Sequence, residues 1–278
     1  MSIKIVTDST CDLPYEFIAK YDITIIPLII HIGFNSFLDG IELSKDIFYK
    51  NLLHYSNFPT TSPPGIDTFR LTYEKLFKEG ATYIISIHIS NKMSATVDIA
   101  KRAAILMGHS PINVIDSRQV SLGTGFLVQS AAEMANCGIP LKEILSNLED
   151  QISRTRVFVA LSSLEFLRRS GRVNGLTAGL GNLLKIKPII KMYNGIPAIE
   201  SIQSKERAIS RILQLLEDLA PFEKLALVHS HAPVEIPSLL LKTKPYFPAD
   251  RNIVAEITPV IGAHIGPGAI GFAAISSK

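Results

Sequence analysis

Apolar positions along this chain fall into short continuous runs separated by amphipathic stretches, and that alternation predicts most of its elements. Residues 3–7, Ile-Lys-Ile-Val-Thr, read as a buried strand, followed by Asp8-Ser9-Thr10 and a helix from about Leu13, with Asp12 as its cap and Pro14 in its first turn. Ile23 to Ile30 is a second apolar strand. Ser44 caps a helix through about Leu53 whose Ile47, Phe48 and Leu52 share a face. A loop from Asn57 to Gly65 feeds a helix ending near Lys78; Tyr83 to Ile89 is a strand, Ser94 to Met107 a helix, Ile112 to Ile115 a strand and Leu122 to Ala135 a helix. Strands and helices that alternate at this spacing imply parallel pairing, with helices on the faces of the sheet.

Leu141 to Ile152 is one more helix, after which Arg156 to Leu161 opens a second α/β unit. The expected domains are therefore residues 1–155 and 156–278. Within the second lie a helix around Leu164 to Arg169, a Gly-rich helical stretch from Gly175 to Leu184, and a hairpin of Ile186 to Met192 and Ile196 to Ile202. Asn194-Gly195 between those strands is a strong hairpin turn signal. A helix from Lys205 to Leu219, a strand at Leu225 to Val228, a short helix near Ile236 to Leu241 and strands at Ile253 to Ile257 and Ile270 to Ile275 complete the pattern.

Composition raises a question about this pattern. The 278 residues are 47% apolar and only 19% charged, and the mean hydropathy is +0.26. The longest uncharged run, Ile257 to Ser277, reaches the roughly 20 residues of a membrane span. It also contains Pro259, Pro267, Gly262, Gly266, Gly268, Gly271 and His264, which disfavour a lipid-facing helix, so a buried loop and strand is the expectation. Asp8 interrupts the apolar stretch that a secretion signal would need. The two cysteines, Cys11 and Cys137, form no zinc pattern and fit a reducing cytoplasm. A net charge of +3 without a long basic block argues against nucleic acid as a partner, and Arg168-Arg169-Ser170-Gly171-Arg172 reads as a solvated helix end.

Several chemistries are excluded because the backbone shapes they need are missing. The chain has no Walker A loop, no GxGxxG after a strand, no GxSxG elbow and no HExxH. Gly123-Thr124-Gly125 reads as a helix-packing surface, and His229-Ser230-His231 as an ordinary strand end with no carboxylate to complete a metal site. What remains is a set of hydroxyl-bearing loops, Asp8-Ser9-Thr10, Thr60-Thr61-Ser62 and Ser90-Asn91-Lys92-Met93-Ser94, each at a strand's carboxyl end or opening a helix. That edge of a parallel sheet is where ligands bind, and helix amino termini favour anions. Plain helix capping by Ser62 and Ser94 explains the same residues. His264, set among glycines in an apolar run, is expected to be buried, with its ring nitrogens in need of partners.

Together these segments resemble the DegV family of bacterial fatty-acid-binding proteins. The resemblance runs nearly end to end: Ile5-Val6-Thr7-Asp8-Ser9-Thr10, Thr61-Ser62 before prolines, Ile87-His88-Ile89-Ser90 leading to Ser94-Ala95-Thr96, and Asp116-Ser117. It continues through Ser170-Gly171-Arg172-Val173, Leu184-Lys185-Ile186-Lys187-Pro188 and His264-Ile265-Gly266-Pro267-Gly268. It implies a two-lobed α/β fold, an N-terminal parallel-sheet lobe holding a carboxylate and a C-terminal α/β lobe contributing an acyl-chain tunnel. A long-chain fatty acid would lie between the lobes, held by Thr61, Ser94 and His264, with Ser62 and Arg172 counted among the lipid-binding candidates. The resemblance implies no catalytic residue, no metal and no cofactor in this chain. Relatives present the lipid to a separate kinase that makes an acyl phosphate, and Arg172 or the basic stretch before it is the side expected to face such a partner.

Two motifs depart from the family but keep the hydroxyls assigned to the head group, Thr61, Ser62 and Ser94: its Thr-Ser-Gln-Pro-Ser stands here as Thr61-Ser62-Pro63-Pro64-Gly65, and its Ser-Gly-Thr-Tyr-Gln as Ser94-Ala95-Thr96-Val97-Asp98. Gln203 stands where relatives carry an arginine that resembles a kinase contact, a change that bears on kinase docking and not on lipid binding. A competing reading of the same side chains is a small-molecule acyl or phosphoryl transferase using Ser94 or Ser9 with His264.

Overall fold

The structure, a computed structural model, describes residues 2–108, 111–172, 187–247 and 253–277. The first apolar runs pair as a parallel sheet in the order β2-β1-β6-β7, formed by β1 (Ile3–Asp8), β2 (Thr24–Ile26), β6 (Tyr83–His88) and β7 (Ile112–Asp116). Successive side chains point to opposite faces, so each strand feeds two cores. Val6, Ile26 and Ile84 pack against α3 (Ile66–Lys78) and α4 (Thr96–Leu106), while Ile5, Ile85 and Ile87 face α5 (Leu122–Asn136).

The second half builds a six-stranded mixed sheet in the order β10-β9-β8-β13-β11-β12. Its strands are β8 (Thr155–Ala160), β9 (Lys187–Tyr193), β10 (Ile196–Ile202), β11 (Phe222–Ser230), β12 (Ile253–Glu256) and β13 (Ala269–Ser276). Only the β11–β12 pair is parallel among them. One face, with Phe158, Ile189, Leu227 and Phe272, packs on α8 (Lys205–Leu219) and α9 (Ile236–Thr243). The other face, with Val157, Val159, Met192, Val228 and Ala273, joins the α5 core together with α6 (Leu141–Arg154).

Helix α5 therefore lies between the two sheets, buried from Leu122 to Ala132. This is the reason for Gly123-Thr124-Gly125. A Cβ on Gly125 would sit 2.3 Å from the Cys11 carbonyl oxygen, and one on Gly123 2.6 Å from Val157 Cγ2. The apolar excess is thus taken up by stacked cores, and among the described residues no helix is long and apolar enough to cross a membrane.

Several expectations are corrected by tertiary context. Pro27, which has no N–H to donate, breaks the predicted Ile23 to Ile30 strand into β2 and β3 (Ile29–Ile32). β3 pairs with β4 (Asn35–Leu38) and with β5 (Thr60–Ser62), a small antiparallel sheet where a loop was expected. Helix α1 (Tyr15–Lys20) starts later than the predicted Leu13, because Asp12 adopts φ 53° and its carboxylate turns to other partners. In α2 (Lys45–Asn51) Ser44 Oγ accepts from Ile47 N, as a cap should, and Phe48 is buried with Leu52, but Ile47 points to solvent. The uncharged stretch expected as loop and strand holds a helix, α10 (Pro259–Ile265), before β13. It packs on α7 (Glu165–Ser170) and α2. The predicted Gly175 to Leu184 helix and the Val173 and Leu184-Lys185-Ile186 motif positions lie outside the described residues.

Candidate functional site

Where the small sheet, the β6–α4 loop and α10 converge, they enclose a pocket with about 790 Å³ of empty space, its mouth included. Thr61, Ser62, Ser94, Arg172 and His264 all line it, together with apolar side chains from both lobes. The pocket has the character of small-molecule sites, mostly apolar walls with a few convergent polar groups.

Each polar group is fixed by its element. Thr61 sits on β5 opposite Ile30 of β3, and its hydroxyl meets His264 Nε2 at 2.7 Å across 203 residues of sequence. His264 comes from α10, where Val260, Ile261, His264 and Ile265 share one helical face and all reach the pocket. Ser94 Oγ bonds Thr96 Oγ1 at 2.8 Å just ahead of α4, whose amino-terminal dipole favours negative charge. Ser62 Oγ is bonded to His31 Nε2 at 2.9 Å, and His31 Nδ1 to Ser36 Oγ at 2.8 Å. Arg172, exposed at the rim, donates from its guanidinium to Ser170 O at 2.7 Å.

Plain capping does not account for the serines. The N-cap of α3 is Gly65 and that of α4 is Ala95; Ser94 Oγ receives only a long 3.4 Å contact from Thr96 N. Asp8-Ser9-Thr10 does not join the pocket. Asp8 is buried, with Oδ1 accepting from Thr10 N at 3.0 Å and Oδ2 from Ile89 N at 3.1 Å, beside His88 Nδ1 at 3.0 Å. Burial pushes this carboxyl up, but the hydrogen bond and charge of His88 and the bonds from Thr10 and Ile89 outweigh it and hold Asp8 below its usual range. His88 Nε2 continues to Ser86 Oγ at 2.7 Å and Ser86 to the Tyr73 hydroxyl at 2.8 Å, all fully buried, so this Asp-His-Ser chain ties β1 to β6 away from solvent. Ser9 Oγ accepts from Leu28 N at 3.2 Å. Among the described residues His264 is hydrogen-bonded to Thr61 and to neither Ser9 nor Ser94.

Burial, followed by the nearby Arg172 charge, lowers the His264 pKa to about 4, so the imidazole is neutral at pH 7. Its Nδ1 is buried without a hydrogen-bond partner among the described residues. A proton on Nε2 leaves only a lone pair unmatched at Nδ1, whereas a proton on Nδ1 would orphan a buried donor. His264 Nε2 therefore donates to Thr61 Oγ1, and the Thr61 hydroxyl proton is free to point elsewhere.

What holds α10, and with it His264, was not legible in the sequence. Asp12 Oδ1 accepts from Thr258 N at 2.7 Å, Asp39 Oδ2 accepts from Thr258 Oγ1 at 2.6 Å, and Ser121 Oγ donates to Asp12 Oδ2 at 2.6 Å. Lys45 Nζ stands 3.7 Å from Asp12. Burial pushes both carboxyls up to about 6, against the opposing pull of these partners. The Tyr49 hydroxyl donates to Ile257 O at 2.9 Å, and a Cβ on Gly262 would lie 2.5 Å from that hydroxyl oxygen, so the helix rests directly on α2. His231, beyond the end of β11, stacks on Tyr49 and faces Glu256 at 3.4 Å. The described residues contain no group of three metal-ligating side chains.

The profile of the DegV family, described as uncharacterised proteins, matches residues 2–277. The chain belongs to the DegV family. A DegV domain-containing protein of Listeria innocua is 34% identical over 273 residues, covering 97% of this chain and 96% of its own. A DegV protein from Thermus thermophilus described for its fatty acid binding superposes with TM-score 0.91 at 30% identity, over 99% of this chain and 100% of its own. DegV from Bacillus subtilis, described as a fatty acid binding protein, superposes with TM-score 0.90 at 30% identity over the full length of both chains. The two-lobed α/β architecture expected from the resemblance is thus the DegV fold.

Proposed function

We propose that this DegV protein binds one long-chain fatty acid between its lobes, with the carboxylate on Thr61, Ser94 and His264 and the acyl chain in the apolar part of the pocket. The observation that carries this reading is the Thr61–His264 pair, which joins the two lobes at the polar end of an otherwise apolar pocket. With the His264 proton on Nε2, the Thr61 hydroxyl accepts from the ring and donates to the carboxylate. Ser94 supplies a second donor, and Arg172 a screened positive charge at the mouth. A neutral imidazole and two hydroxyls accept this anion without a buried ion pair and its desolvation cost.

Each hydrogen bond to the charged head group contributes about 1.5–3 kcal/mol. Burial of the chain gains about 0.8 kcal/mol per methylene before binding costs are subtracted. Affinity therefore comes mainly from the chain, and orientation from the polar cluster. The relatives described as fatty acid binding proteins support the ligand class.

In this reading the chain does no chemistry itself and presents the head group to a separate fatty acid kinase. Arg172, just past the end of α7, lines the mouth, and with the exposed Arg168 in the last turn of that helix it suits a docking role. Gln203, in place of the relatives' arginine, accepts from Arg207 Nη1 at 3.0 Å, so a guanidinium still stands at that surface. Calorimetric titration of delipidated protein with palmitate tests the binding: one saturable site is expected, with methyl palmitate bound more weakly. No saturable heat, or equal affinity for acid and ester, would defeat the proposed site.

A further inference from the structure

We propose that Arg118 is a specificity-determining residue, which latches the β9–β10 hairpin across the far end of the pocket and so limits the length of acyl chain admitted. This rests on the fatty-acid reading above and asks which part of the protein meets the methyl end.

Sheet register supplies the ruler. Helix α10 ends beside the start of β13, where Ile270 pairs with Ala160 of β8 and Ala160 with Ile189 of β9. Met192 lies three residues farther along β9, opposite Val157, which puts it roughly 10 Å beyond Ile189 at about 3.4 Å per residue. Met192 and its cross-strand partner Pro197 line the pocket there, and Val120 faces them from the other lobe. Just beyond, the strands turn at Asn194 and Gly195 and leave Tyr193 and Ile196 exposed.

That turn is tied to the N-terminal lobe by Arg118. Gly195 N donates to Arg118 O at 3.0 Å, and Arg118 Nη1 donates to Asn194 Oδ1 at 2.9 Å. Among the described residues these are the only hydrogen bonds between the hairpin and the N-terminal lobe. Arg118 holds φ at 54°, and Ser121, three residues on, holds φ at 52°. Such conformations persist where the surroundings fix them. Asp116 Oδ1 accepts from Arg118 N at 2.8 Å, Gln119 Nε2 donates to Thr155 O at 2.9 Å, and Ser121 is bonded to Asp12. The same loop that carries Val120 into the pocket thus turns Arg118 outward onto the hairpin. An acyl chain that fills the pocket leaves the latch shut, whereas a longer one has to pass between Val120 and the Met192–Pro197 pair and part it.

The test is competition of saturated acids from myristate to behenate against labelled palmitate on delipidated full-length protein, with thermal melting as the check on folding. Wild type is expected to lose affinity beyond a limiting chain length. Arg118→Ala should leave palmitate affinity unchanged and raise the behenate-to-palmitate affinity ratio by about tenfold, the effect of losing one charge-assisted hydrogen bond. Asn194→Gly removes the acceptor at an exposed position, accepts the left-handed turn, and should act in the same direction. Met192→Phe should move the limit toward shorter acids. A limit that shifts in Met192→Phe but stays put in both latch variants overturns the latch and leaves the fatty-acid reading standing. Failure of wild type to bind any acid in the series overturns both.

Discussion

Replacing Thr61 by Val keeps the shape of the side chain and removes one oxygen, which makes it the cleanest perturbation of the head-group site. Thr61 Oγ1 is the partner of His264 Nε2 at 2.7 Å and, in the proposed complex, the donor to the carboxylate. The variant loses a hydrogen bond to a charged group, worth about 1.5–3 kcal/mol, so palmitate affinity should fall by roughly 10- to 150-fold. It also leaves His264 with neither ring nitrogen paired, since Nδ1 has no partner among the described residues, and this should lower the stability of ligand-free protein by about 1–3 kcal/mol. Calorimetry with palmitate and with methyl palmitate separates the effects, because the ester lacks the charge and should be much less sensitive to the substitution. A Thr61→Val/His264→Asn cycle should be strongly non-additive for palmitate, as expected for residues in direct contact. Unchanged palmitate affinity, or an equal loss for acid and ester, would refute the reasoning.

Three further outcomes are expected. Gly125→Ala places a methyl group 2.3 Å from the Cys11 carbonyl, backbone that cannot rotate away, so it should cost about 1–3 kcal/mol or more and lower the melting temperature by several degrees; a neutral change would contradict the packing of α5. Asp39 has its pKa raised to about 6, so it contributes stability that is fully present below its unfolded pKa of 3.8 and is lost as pH rises through about 6. Asp39→Asn should therefore weaken the gain in stability that this group gives between pH 6 and 4, measured by urea unfolding, and an unaltered slope would count against the burial argument. His264 has the opposite sign: its pKa is lowered to about 4, so stability tied to the neutral ring is present above pH 6.5 and lost as pH falls toward 4, and His264→Asn should remove that loss. Acid lability unchanged by the substitution would place the ring in a more solvated setting than the structure does.

Local pattern carried the parts of the fold that local physics decides. Ser44 caps α2, Asn194-Gly195 turns the hairpin with φ 47° and 79°, and the N-terminal alternation yields a parallel sheet. What escaped was set by partners far away in sequence. Asp12 reads as a helix cap but holds Thr258, 246 residues later. Ser62 and Ser94 read more readily as caps than as ligand-binding groups, and only the positions of Gly65 and Ala95 show that they are not caps.

Helix α10 was hidden by its prolines and glycines, although Val260, Ile261, His264 and Ile265 keep a helical spacing that marks the pocket face. His31 gave no signal, because its partner Ser62 reaches it only through a three-residue strand. Residue pattern marks Thr61, Ser62, Ser94 and His264, the family resemblance gives them a head-group role, and the structure brings them to one pocket. The apolar tail wall, including Met192 and Val120, is a product of sheet register and loop geometry that no single-segment pattern encodes.

The central claim is that part of this chain's apolar surface meets an acyl chain. Denaturing purified protein and analysing its organic extract by mass spectrometry tests that most directly. The account predicts a long-chain fatty acid in amounts approaching one per chain. An extract without fatty acid, from protein that also fails to take up added palmitate, would contradict it.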